Sequence, residues 1–102
     1  MQEITATELK QRLDNGEDIQ IIDVRTPQEF MGFALPHAKL FPVQTLHQKV
    51  DELPQDKNTP LLVYCAHGVR SLRAIALLEN QGYVNLINLK GGLAAYLQEF
   101  PL

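Results

Sequence analysis

Apolar positions along this chain fall into two kinds of run: short blocks rich in β-branched residues, and longer stretches spaced at three and four. Ile19-Gln20-Ile21-Ile22-Asp23-Val24 is of the first kind and predicts a buried strand. Leu61-Leu62-Val63-Tyr64-Cys65-Ala66 follows Pro60 without a polar break, the mark of a strand covered on both faces. Val84 to Leu89 predicts another strand, and Ala38 to Leu40 leaves room for a short one. Thr5-Ala6-Thr7-Glu8 has the form of a capping box, opening a helix through Leu9 and Leu13 that Asn15-Gly16 ends. Pro27 suits the first turn of a short helix carrying Glu29 and Phe30. A further helix is expected from about Thr45 to Leu53, with Leu46, Val50 and Leu53 on one face. From Ser71 to Asn80 the pattern is helical and almost wholly apolar, which predicts burial on more than one side before Gly82 stops it. Gly91-Gly92 reads as a turn and Leu93 to Phe100 as a closing helix. Strands alternating with helices predict an α/β fold, with a mostly parallel central sheet of about five strands and helices on both faces.

Composition narrows what such a domain can do. The 102 residues predict one domain over 1–102 with a single core, and 45% hydrophobic with 21% charged is ordinary for a globular chain. The formal charge is −3 and the nine basic residues are scattered, so no nucleic-acid partner is expected. A single cysteine excludes an internal disulfide and any zinc site built on paired cysteines. His37, His47 and His67 do not fall at metal-ligand spacing, so neither a metal nor another cofactor is expected. No apolar stretch approaches the ~20 residues a bilayer span needs, so no membrane partner is expected either. Met1-Gln2-Glu3-Ile4-Thr5 lacks the basic start and apolar run of a signal peptide, and a cytoplasmic location is the resulting expectation.

One segment carries chemistry. Cys65 closes what should be a central strand, and Ser71 begins the next helix, with Ala66, His67, Gly68, Val69 and Arg70 between them. Ligands of parallel sheets bind beyond the carboxyl ends of the strands, where this loop lies. A loop so short must turn its N–H groups inward, and Gly68 supplies the backbone freedom for the curl. The amide nest and the helix dipole would then favour an anion and shift a thiol there toward thiolate. A lone cysteine is more often a small buried hydrophobe; the glycine and arginine at fixed offsets reverse that reading.

Cys65-Ala66-His67-Gly68-Val69-Arg70-Ser71 resembles the active-site loop of rhodanese-like sulfurtransferases. Asp23-Val24-Arg25-Thr26-Pro27-Gln28-Glu29-Phe30, followed by Pro36 and Ala38, resembles that family's upstream motif, and Gly91-Gly92-Leu93 the turn before its last helix. The blocks stand in the family's order and cover nearly the whole chain. Departures are Phe33-Ala34 where Gly-His is frequent, His37 in place of a glycine, and Tyr96 where tryptophan is frequent.

The resemblance implies a sulfurtransferase in which the Cys65 thiolate takes a sulfane sulfur from a donor, thiosulfate or a persulfide. It would pass that sulfur as a persulfide to cyanide or a thiol. The amides of Ala66 to Ser71 would stabilise the charge on the way. Arg70 has two readings, contact with an anionic donor or a brace to an upstream carboxylate, and the resemblance favours the brace, with Glu29 ahead of Asp23. His67 would add charge near the sulfur or line the entrance, while His37 and His47 read as surface residues. Ser71 reads as the cap of its helix, Asp23 and Arg25 as scaffold, and Asp51, Glu52 and Asp56 as a solvated face.

Two rival readings stand beside this one. Phosphatases of related fold place five residues between cysteine and arginine, whereas four stand between Cys65 and Arg70, a ring suited to sulfur or a small anion. Non-catalytic rhodanese-like binding modules often lack the cysteine, which is present here. A sulfur-relay protein could also load Cys65 directly.

Overall fold

The computed structural model describes residues 1–102. Its strands are β1 (Gln2–Ile4), β2 (Gln20–Asp23), β3 (Lys39–Leu40), β4 (Leu61–Tyr64) and β5 (Leu86–Leu89), and its α-helices α1 (Ala6–Asp14), α2 (Pro27–Gly32), α3 (Val69–Asn80) and α4 (Gly92–Glu99). The strands form one sheet in the order β1-β5-β4-β2-β3, with every pair parallel. Since β4 is central and flanked on both sides, its four residues are all buried, as their unbroken apolar character requires. The observed sheet matches the expected α/β architecture, with somewhat shorter strands.

Period-two alternation sends neighbouring strand residues into two separate cores. Ile21, Leu62, Tyr64, Ile87 and Leu89 pack with Leu9 of α1 and with Leu93 and Tyr96 of α4. Ile22, Val24, Val63, Cys65 and Leu86 pack on the other face with Ala74, Ile75 and Leu78 of α3. Tyr96 is buried and stacks at an angle on Phe100 with ring centroids 5.2 Å apart. No helix is long and apolar enough to cross a membrane.

Local capping explains the early helices. Thr5 and Glu8 form a complete capping box on α1, and Thr26 and Glu29 form a second on α2, with Pro27 in its first turn. The expected helix over Thr45 to Leu53 is instead a pair of 3-10 turns, Leu46–Gln48 and Val50–Glu52. Lys49 between them has φ −121°, ψ 12°, outside the helical well, and Pro54 forces Leu53 into extended backbone. The anticipated inner face survives: Leu46 and Leu53 are buried and Val50 packs against the same core. Strand β1 has no counterpart in the hydrophobic pattern, because only Ile4 of its three residues is buried.

His37 adopts φ +64° on an exposed turn. Glycine adopts this left-handed conformation freely, and histidine is among the side-chain-bearing residues that tolerate it.

Candidate active site

The Cys65 loop begins where β4 ends and closes on the N-terminus of α3. Gly68 caps the helix at φ +98°, a conformation that costs a side-chain-bearing residue about 1–3 kcal/mol. Its turn aims two backbone donors at one atom: the N–H groups of Gly68 and Ser71 reach Cys65 Sγ at 3.1 and 3.3 Å. The cysteine itself is only 1% exposed. On its loop side His67 and Val69 lie on the surface and Ala66 and Gly68 are half-buried.

Loop carbonyls face the opposite way, for a reason that lies in the last helix. The amides of Leu93 and Ala94, in the first turn of α4, have no partner within their own helix. They donate instead to the carbonyls of Cys65 and Ala66, both at 2.9 Å. Gly92 makes the approach possible: a Cβ there would stand 2.5 Å from the Cys65 carbonyl oxygen, and its φ is +65°. With the carbonyls drawn toward α4, the remaining loop amides are left to face the sulfur.

Burial pushes the Cys65 thiol pKa up, but the Ser71 hydroxyl and the N–H groups of Ser71, Gly68 and His67 outweigh it and bring the net value down. A thiol held this way ionises more readily than a free one.

Arg70 turns away from the sulfur and grips Glu29, Nη1 to Oε1 at 2.7 Å and Nη2 to Oε2 at 3.0 Å. Glu29 is also the reciprocal partner in the Thr26 capping box, so one carboxylate ties α2 to the loop. The hydrogen bonds from Arg70 hold its pKa down at about 2, against the opposing effect of burial and with help from Thr26. Asp23, the second choice as partner for Arg70, is engaged elsewhere. It takes Arg25 through Nε and Nη2 and receives the Tyr64 hydroxyl at 2.5 Å. That network lies in the first core, on the far face of the sheet from Cys65.

Ser71 departs from the reading made of it. Gly68 is the helix cap, and Ser71 is the third residue of α3, wholly buried. Its hydroxyl accepts from the Cys65 thiol at 3.6 Å and donates its proton to Asn88 Oδ1 at 2.7 Å. Asn88 and the role of Gly92 were missed from the sequence. A polar residue inside the run Leu86-Ile87-Asn88-Leu89 was the available signal for the first. His37 and His47 are exposed and take no part in the site, and Asp51, Glu52 and Asp56 are exposed as expected.

Comparison with known proteins agrees with this fold. The model of the rhodanese-like domain matches residues 5–99. A protein of Allochromatium vinosum named sulfurtransferase is 37% identical over 94 residues, covering 92% of this chain and 86% of the relative. The putative sulfurtransferase YtwF of Bacillus subtilis is 28% identical, over 94% of this chain and 90% of its own. The crystal structure of a rhodanese-like domain protein from Staphylococcus aureus superposes with a TM-score of 0.85 at 36% identity, covering 94% of this chain and 91% of that one.

Proposed function

This chain belongs to the rhodanese-like domain family, and on that premise we propose that it is a sulfurtransferase working through a persulfide on Cys65. The observation that carries the reading is the convergence of the Gly68 and Ser71 amides on Sγ, inside a loop with four residues between Cys65 and Arg70. The thiolate attacks the outer sulfur of a donor such as thiosulfate. A bond forms between Sγ and that sulfur, the donor's S–S bond breaks, and sulfite leaves with the electron pair. An acceptor, cyanide or a thiolate, then attacks the outer sulfur of the persulfide and Cys65 departs as thiolate. The charge stays near Sγ throughout, where the amides stabilise it without having to reorganise.

One observation favours a protein-borne persulfide over thiosulfate as the donor. Both terminal nitrogens of Arg70 are committed to Glu29, so the loop offers a dianion its amides and no free guanidinium. Weak saturation by thiosulfate is the expected result, and a low-micromolar KM would overturn this preference.

Intact-mass measurement tests the central claim. Incubation with thiosulfate or a small persulfide should add one sulfur, cyanide should remove it, and Cys65→Ser should never acquire it. If no donor yields the adduct, the chain is a rhodanese-like binding module instead.

A further inference from the structure

Asn88 is 2% exposed on a strand whose other three residues are apolar. Burying an amide there is costly unless both its ends are satisfied. Register pairs Asn88 with Glu3 on β1, and its Nδ2 donates to Glu3 Oε2 at 3.0 Å. An ionised carboxylate only accepts, so Glu3 fixes which end of the amide faces it. The other end, Oδ1, therefore faces α3 and takes the hydroxyl of Ser71. A continuous chain of side chains runs from the sheet edge to the reactive sulfur: Glu3, Asn88, Ser71, Cys65.

Ser71 has one hydroxyl proton and two neighbours that can use it. While the proton lies on Asn88 Oδ1, Ser71 shows the sulfur only a lone pair. That arrangement accepts an S–H, and the hydroxyl favours the thiolate only once its proton turns from Asn88 to the sulfur. When Cys65 ionises, its proton passes to solvent at the loop mouth, and the hydroxyl must leave Asn88 to donate to the sulfur. We propose that Asn88, oriented by Glu3, is a positioning residue that sets how readily Cys65 ionises by holding the single proton of Ser71. The proposal deepens the sulfur-transfer reading and rests on it for its bearing on activity.

Other charges around Cys65 are arranged so that this proton matters. Arg70 on α3 is neutralised by Glu29 of α2, and Asp23 of β2 by Arg25. Exposed His67 lies in the loop itself, and Lys90 is exposed where β5 leads into α4. None of these groups donates a side-chain hydrogen bond to Sγ; the Ser71 hydroxyl is the one side-chain group within reach. A released hydroxyl prefers the charged sulfur over a neutral helix carbonyl, because hydrogen bonds to ions are about twice as strong.

The test measures the rate of iodoacetamide alkylation against pH on the full chain, whose single cysteine makes the signal unambiguous. Asn88→Leu removes the competing acceptor and should lower the midpoint by about one pH unit. In a Ser71→Ala background the same substitution should move nothing, a result that a general loosening of the sheet would not give. Glu3→Ala, on the exposed edge strand, frees the amide to turn and should shift the midpoint the same way by less. An unmoved midpoint in Asn88→Leu, or an equal shift with and without Ser71, overturns the proposal. Should Asn88→Leu fail to fold, an unmoved Glu3→Ala does so. Alkylation needs no sulfur donor, so failure here is distinguishable from failure of the sulfur adduct to form.

Discussion

Two arginine–carboxylate pairs flank the central strand, and they do different work. Arg25 and Asp23 are neighbours in sequence, with side chains 6% and 0% exposed. Arg70 and Glu29 are separated by 41 positions, and each side chain is 33% exposed. The first is sealed into the sheet's end by the Phe33 carbonyl and the Tyr64 hydroxyl, whose own pKa burial pushes up. Such a pair holds one fold in place, and either member alone would be a buried charge without a partner. The second sits where solvent weakens it, and its value lies in geometry: it fixes the angle between α2 and the Cys65 loop. Burial makes an ion pair indispensable to the fold, whereas span makes it informative about the site.

The contrast can be broken from its stronger end. Asp23→Ala should cost about 3–5 kcal/mol in urea unfolding, because Arg25 keeps its charge and loses its carboxylate. A loss below ~1 kcal/mol would show that the network is no more than a surface pair. Tyr64→Phe, which orphans the buried Leu35 amide that the phenol oxygen accepts at 3.1 Å, should cost about 1–3 kcal/mol.

The outer pair should behave in the opposite sense. Arg70→Lys keeps the charge and loses the fork, so sulfur transfer should fall about tenfold, near 1.4 kcal/mol in the barrier. Its unfolding free energy should move by less than about 1 kcal/mol. Unchanged transfer would remove the bracing role. The smallest effect is a pH dependence. Glu29 has its pKa lowered in the folded chain to about 2, so its stabilisation is fully present above about 4.5 and is lost as pH falls toward 2. The stability difference between wild type and Glu29→Gln should therefore shrink across that window, from no more than about 1 kcal/mol. A difference that is constant with pH would mean the pair contributes nothing.

Much of the architecture was legible because its causes are local. The Thr5–Glu8 capping box, the Pro27 helix start and the apolar runs of β2 and β4 are written within a few residues, and the Thr26–Glu29 box, equally local, went unread. The Cys65 loop was legible for the same reason, since a strand end, a glycine, an arginine and a helix start all fall in seven positions. What escaped the sequence is long-range. Asn88 meets Ser71 across 17 positions and Glu3 across 85, and the polar break in the Leu86–Leu89 run marks the residue without naming its partners. Strand β1 exists because β5 offers it an edge, with too little apolar character to show beforehand. The 3-10 turns arise from a conflict between an amphipathic pattern and the Pro54 that cuts it short, and the pattern alone shows only one side of that conflict.

The seating of α4 on the loop has a consequence for how the loop is completed. Leu93 and Ala94 are synthesised well after Cys65, yet their amides draw the Cys65 and Ala66 carbonyls aside. Without α4 docked those two carbonyls lose their partners, so the loop is completed by the last helix of the domain as well as by the strand and helix that carry it.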